Sequence, residues 1–293
     1  MKFFLLSILS ISLFVSSCGR FSNKQNEVNK NSNVRIVCVS KQLTEILFAL
    51  GQGDKIVGID ISSTYPPETK NITTVGYHRM LSAEGIISLN PTVVFYNGGT
   101  DASIGPENVI KQLKEVGIPL KEYPGTPTID STKMLIRLIA KEFGAETKAE
   151  ELCSKLDADM KKAQEKALTY TAKPKVLVIH YGRASNNYFV MGNKGNQNNM
   201  IVWAGGVNAV DTSGFKLLSS EVIVNSQPDI ILATDFGYDR LGSEDKFVEL
   251  PGISLTPAAK NHRIYRIEEH DLIYPGPRTG ENVLKIMELL HKQ

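Results

Sequence analysis

Charge of one sign is missing from this chain: 33 lysines and arginines stand against 31 aspartates and glutamates, a formal net charge of +2 over 293 residues. The balance gives no support for a nucleic-acid partner, which calls for a strongly basic face, nor for polybasic attraction to a membrane. Cysteine is also scarce, at 3 residues. Cys38 lies in an apolar, strand-like run and Cys153 in a helical stretch far along the chain. They read as two separate buried thiols, because a bridge between them would need a geometry that spacing alone does not supply. Catalytic motifs are absent as well: there is no G-x-S-x-G elbow, no H-E-x-x-H and no P-loop lysine pattern. Gly51-Gln52-Gly53 followed by Gly58 imitates a dinucleotide fingerprint. It follows a helix instead of opening one after a strand, so the context fails. His262, His270 and His291 come late with no paired spacing and are assigned to no metal.

Long apolar runs are missing except at the N-terminus. After Met1-Lys2, residues 3–15 are apolar apart from serines, too short for a membrane span of about 20 residues but of the length of a signal-peptide core. The run leads into VSSCG (residues 15–19), which resembles the lipobox of bacterial lipoproteins. The expectation is a signal peptide over residues 1–17, with Cys18 acylated and membrane-anchored on the periplasmic or extracytoplasmic side. Residues 18–33 are polar and read as a flexible tether. The alternative is an ordinary secretory signal with an incidental cysteine; the position of Cys18 at the expected cleavage point favours lipidation.

What remains is ordinary globular material, 42% hydrophobic and 22% charged, enough for two lobes. RIVCV (35–39) and KIVGI (55–59) read as buried strands, and the apolar helical spacing of residues 42–50 stops at Gly51, a candidate C′ glycine. Strands alternating with helices imply parallel α/β layers. LSAEGIISLNPTVVF (81–95) overlays LSSEVIVNSQPDIIL (218–232) without a gap. Each copy reads as a serine N-cap, a short helix, a proline-marked turn and a buried strand. FALG (48–51) and VWAG (202–205) form a second echo in the same order. Between the copies, residues 146–168 contain no Gly or Pro, and Leu152, Leu156, Met160 and Ala163 mark an apolar stripe. The fold class expected is therefore α/β, with two parallel-sheet lobes (34–145 and 174–293) joined by one long helix (146–173). A helix of that length, over about 30 Å, is a stiff strut that predicts modest lobe movement.

With these features, STYPP (63–67), VGYHRMLSAEG (75–85), AGGVN (204–208) and GPR (276–278) resemble the class III substrate-binding proteins of ABC importers, which serve cobalamin, ferric siderophores and haem. The last two segments resemble the haem-receptor branch. The resemblance covers the chain after the tether. It implies a monomeric carrier, not an enzyme, holding haem b between its lobes as transported ligand and using no catalytic cofactor.

In an extended VGYHR (75–79), Tyr77 and Arg79 share a face while His78 points away. A tyrosine phenolate is a hard anionic ligand suited to ferric haem, and a bound cation favours the phenolate. The resemblance places the iron ligand on Tyr77, and Arg79 would pair with a propionate. IHYGR (179–183) ends the first strand of the second lobe, at the mouth where open α/β sheets bind ligands. His180 and Tyr181 both remain candidates for the other haem face, because a one-residue shift exchanges them; Arg183 repeats the Tyr-x-Arg spacing. Tyr188 and Met191 lie in a segment that could line the cleft, and Arg278 belongs either to the cleft or to a helix start. Glu84 and Glu221 occupy one position in the two repeats. Each suits the first turn of a helix, and the resemblance implies that they meet arginines on the importer's two membrane subunits. A cobalamin or siderophore carrier, and more remotely a haem-modifying enzyme, are the rival readings; no acid/base pair beside Tyr77 supports the enzyme.

Overall fold

The computed structural model describes residues 34–77, 80–98, 107–183 and 185–292. The expected signal peptide, Cys18 and the expected tether, together with His78 and Arg79, lie outside the described residues. The first lobe runs β1 (Ile36–Cys38), α1 (Lys41–Ala49), β2 (Ile56–Ile59), the antiparallel pair β3 (Gly76–Tyr77) and β4 (Met80–Leu81), α2 (Ala83–Ser88), β5 (Val93–Asn97), α3 (Glu107–Glu115), β6 (Leu120–Tyr123) and α4 (Ile129–Phe143). Its sheet has the order β2-β1-β5-β6 and is parallel throughout. Alternation along β1 explains why the strand is apolar at every position. Ile36 and Cys38 pack on one side with Leu43, Ile46 and Ile139. Val37 and Val39 pack on the other with Ile86 and Leu113.

The strut is α5 (Glu146–Ala167), 22 residues and so about 33 Å long. Its buried positions are Ala149, Cys153, Leu156, Met160 and Ala163, spaced four and three in alternation. Cys153 thus takes the inward place expected of Leu152, which is only half-buried and packs at the edge. Ala149 and Cys153 belong to the core of the first lobe. Leu156, Met160 and Ala163 belong to that of the second. One rigid helix is therefore a core element of both lobes.

The second lobe runs β7 (Lys175–Gly182), β8 (Asn187–Met191), α6 (Asn196–Trp203), β9 (Val207–Asn208), β10 (Phe215–Leu217), α7 (Ser220–Ser226), β11 (Ile230–Thr234), α8 (Asp235–Leu241), α9 (Glu244–Val248), α10 (Pro257–Lys260), β12 (Ile264–Ile267), α11 (Glu269–Ile273) and α12 (Thr279–Leu290). Here β9, β11 and β12 continue a parallel arrangement from β7. On the other side the sheet turns antiparallel, in the order β10-β8-β7. The parallel expectation therefore describes only part of this sheet. The reason is the connection: β7 reaches β8 through a tight turn, with Asn186 at φ 55°, and a turn that short can join only antiparallel strands.

Both internal echoes are real structure. The Ser82 hydroxyl accepts the Gly85 N–H at the start of α2, and Ser219 accepts from Val222 at the start of α7; β5 and β11 follow. Gly51 and Gly205 end α1 and α6 with φ of 74° and 82°, the left-handed conformation that favours glycine.

Cys38 and Cys153 are free and buried. Burial pushes the Cys38 thiol up to about 12 and also raises that of Cys153. The thiolate is the reactive form, so a disulfide-exchange dye at pH 8 is expected to leave both untouched in the folded protein and to titrate both after guanidinium unfolding. Rapid reaction of either thiol in the native state would contradict this burial.

Candidate ligand-binding cleft

Tyr77 of the first lobe and His180, Arg183, Ser185, Phe189 and Phe215 of the second line one cavity of about 290 Å³. Each arrives for a local reason. Tyr77 sits in β3, which pairs with β4 immediately before the Ser82 cap. His180 lies near the C-terminal end of β7, and Phe189 stands opposite it on β8. Phe215 comes from the antiparallel edge strand β10 and is 54% exposed, unusually open for a phenylalanine. Its ring centroid lies 5.9 Å from that of His180 and 6.4 Å from that of Phe189. The Arg183 guanidinium stacks on Phe236 at 3.9 Å, which orients it without consuming its donors.

Strand parity separates the two candidates that the sequence left interchangeable. His180 faces the cavity. Tyr181 takes the opposite face, is 4% exposed, hydrogen-bonds to Asn186 and lies 5.0 Å below the Arg240 guanidinium, so it does not line the cavity. Tyr188 donates to the Gly237 carbonyl at 2.6 Å, and Met191 is buried in the core; Phe189, between them, takes the lining place. Arg278 stands at the start of α12, with its guanidinium on Glu45 and Asp271.

Behind the cavity the lobes meet through polar groups that are almost wholly buried. The Lys41 ammonium, from the first turn of α1, pairs with Glu269 Oε2 at 2.6 Å. Glu269 Oε1 lies 3.9 Å from His180 Nδ1, and the Thr234 hydroxyl is 3.3 Å from the same nitrogen. One helical turn on from Lys41, the Glu45 carboxylate receives both Arg278 Nε at 3.0 Å and Nη2 at 3.2 Å, and also bonds His270. Arg278 extends to Asp271 at 2.8 Å and stacks over Tyr65 at 3.5 Å. Gln42 bonds both Thr126 and the Pro275 carbonyl. None of these groups was anticipated in these roles. The available signal was weak: Lys, Gln and Glu in the first turns of a helix ordinarily read as its solvated face.

Burial lowers the His180 pKa, against an opposing pull from Glu269, which favours a neutral ring. Burial alone would raise Glu45, but the bonds and charges of His270 and Arg278 outweigh it and hold the carboxyl below its ordinary 4.5. A larger hollow of about 430 Å³ opens beside Glu45, Tyr65, Lys155 and Arg278. Lys155 is paired there with Glu281 at 2.8 Å and Arg278 with Glu45, so these groups offer an incoming ligand less than those of the cleft do.

Glu84 and Glu221 are exposed in the first turns of α2 and α7, at equivalent places after the two serine caps.

Two α/β lobes joined by one long helix, with a cleft between them, define the architecture of class III periplasmic binding proteins. Residues 36–270 match the periplasmic binding protein family, and the chain belongs to it. It is 30% identical over 272 residues to YvrC, an ABC transporter substrate-binding lipoprotein of Bacillus subtilis, covering 92% of this chain and 84% of that one. It is 26% identical to the high-affinity heme uptake system protein IsdE of Staphylococcus aureus, over 90% of this chain and 89% of the relative. Among solved structures, the periplasmic heme-binding protein RhuT from Roseiflexus sp. RS-1 superposes with a TM-score of 0.80 at 37% identity, over 88% of this chain and 98% of that chain.

The buried seam between the lobes generates a stability prediction. Removing one partner of a buried ion pair strands the others, so Glu45→Ala is expected to cost about 3–5 kcal/mol in denaturant unfolding. Glu45 titrates lower in the folded state than the ordinary 4.5. Its contribution is therefore complete above that value and is lost as pH falls through the folded-state pKa. The difference in stability between wild type and Glu45→Ala should be largest near neutrality and shrink below about pH 4. A difference that stays constant down to pH 3 would show that the carboxylate is not held by these partners.

Proposed function

We propose that the protein is the substrate-binding lipoprotein of an ABC importer and that it captures haem in the cleft between its lobes. The observation that carries this reading is the meeting of Tyr77 and His180, from different lobes, in one cavity. An anionic oxygen donor and a neutral nitrogen donor on opposing walls suit the two axial positions of a ferric porphyrin. Phe189 and Phe215 supply apolar surface for the macrocycle. The Arg183 guanidinium is placed to pair with a propionate, a role that Arg79 would share. Tyr181 supports the site from behind, through the packing that holds the β7–β8 turn. The relatives above, which include a heme uptake protein and a periplasmic heme-binding protein, support the same ligand.

The reading extends to the partners. Glu84 and Glu221, one per lobe, would orient the carrier on two related membrane subunits and affect association rate more than affinity. Acylated Cys18 would tether a monomeric body to the extracytoplasmic face of a membrane. The site supplies ligands and positioning groups, and the proposed role includes no chemical conversion.

Absorption titration of the body with hemin tests the ligand. Tight binding with a Soret shift is expected, and Tyr77→Ala should weaken it by at least about tenfold, a loss of roughly 1.4 kcal/mol or more. Unchanged hemin affinity in Tyr77→Ala, or preference for cobalamin over hemin, would refute the assignment. Docking is tested separately: Glu84→Ala with Glu221→Ala should leave hemin binding intact while reducing haem delivery to the reconstituted importer. Undiminished delivery would remove the docking role.

A further inference from the structure

We infer that Thr234 and Glu269 fix the His180 imidazole as the tautomer protonated on Nδ1, so that the lone pair of Nε2 faces the cleft, and that Lys41 of the opposite lobe holds Glu269 in place for this purpose. The inference rests on the reading of the cleft as a haem site and deepens it by naming the groups that make His180 a ligand.

The geometry poses a choice. The Thr234 hydroxyl lies 3.3 Å from His180 Nδ1 and can serve either tautomer, because a hydroxyl both donates and accepts. If Thr234 donates, Nδ1 carries the lone pair and Nε2 carries the proton. The nitrogen turned toward the cleft would then be a donor with nothing to offer a metal. If Nδ1–H donates to Thr234 Oγ1, the Nε2 lone pair is available for coordination. Among the described residues, Nε2 makes no hydrogen bond.

Glu269 decides between these. Its Oε1 lies 3.9 Å from Nδ1, too far for a hydrogen bond but close enough for its negative charge to act on the ring. A carboxylate beside Nδ1 attracts the positive end of an N–H dipole and repels a lone pair, so it favours the proton on Nδ1. Thr234 is 1% exposed and the Glu269 side chain 13%, so water screens little of this effect. A carboxylate or other oxygen behind a histidine is the general device by which proteins orient that residue toward a metal.

Glu269 is itself held from two directions. Its Oε2 takes the Lys41 ammonium at 2.6 Å, and its backbone N–H donates to Asp235 Oδ1 at 3.1 Å. The first contact crosses from one lobe to the other; the second ties the start of α11 to the residue after Thr234. The orientation of one ring on the cleft wall therefore depends on contact between the lobes. Thr234, Glu269 and Lys41 are positioning residues, since they act on the ligand only through His180.

Long-range proton–nitrogen correlation spectroscopy of the ligand-free protein, labelled in histidine, reads the tautomer without any haem; the signal is assigned by its loss in His180→Asn. The expected result is Nδ1–H in the wild type. Glu269→Gln, which removes the charge, should move the tautomer ratio toward Nε2–H by roughly threefold to tenfold, whereas Thr234→Val removes a partner that either tautomer can use and should leave Nδ1–H predominant. Should Glu269→Gln loosen the lobes, Glu269→Asp, which keeps the charge, carries the test by retaining Nδ1–H. An Nε2–H ring in the wild type, or a ratio that loss of the Glu269 charge does not move, overturns the inference. With hemin added, the wild type should show a six-coordinate, low-spin spectrum that weakens in Glu269→Gln. A protein that shows Nδ1–H but binds no hemin would refute the haem reading while upholding the arrangement of the ring.

Discussion

The carboxylate of Glu45 reaches out of the first lobe and is gripped by Arg278 and His270 of the second. Burying such groups is costly, and the cost is offset only when every partner is in place with good geometry. The two-pronged guanidinium contact and the ring bond meet that demand in one relative placement of the lobes. A sliding or opening motion would strand a buried carboxylate, and Lys41 with Glu269 imposes the same constraint a helical turn away. The strut adds to it, because α5 contributes side chains to both cores. The cavity walls are thus held at their working separation by the protein itself. A ligand then meets a site that needs little ordering, which removes one of the main costs of binding.

Much of this architecture can be read directly from the chain, and the reasons are local. β1 and β7 are apolar on both faces because helices cover both sides of their sheets. The two serine-capped repeats are legible because a cap, a short helix and a proline turn each demand particular residue types. The strut shows its length through the lack of glycine and proline, and its inward face departs from the apolar stripe at one position. Leucine and cysteine are both apolar, and only packing shows that Cys153 points inward while Leu152 sits at the edge. The antiparallel half of the second sheet was hidden for a different reason. The link between Gly182 and Asn187 carries no Asn-Gly or similar signal, so nothing local announces a hairpin.

The cleft was legible in part. Tyr77 and Arg183 stand out by motif, whereas His180 and Tyr181 could not be separated until the parity of β7 was known, since one residue's shift exchanges the faces of a strand. Phe189 and Phe215 carry no local mark: a phenylalanine beside a turn reads as core. The polar seam was the least visible feature. Lys41, Gln42 and Glu45 fall on the face of α1 that a sequence pattern assigns to water, and their second-lobe partners, Pro275 and Arg278 among them, lie more than two hundred residues away. Burial by a second lobe is a long-range fact that no local window contains.

These two kinds of polar contact divide the labour of the molecule. The inner seam consists of charges that have found partners within the chain, and it sets geometry. Glu84 and Glu221 are the opposite case, exposed first-turn carboxylates tied to the frame by their serine caps. Because each sits at the start of a short helix packed against its own lobe, the distance between them inherits the rigidity of the seam. The docking role proposed for them would gain from this, since a fixed span between two contacts avoids the loss incurred when one contact forms and the other must search. The same buried carboxylate that holds the walls of the cleft would therefore also hold these two exposed carboxylates in register.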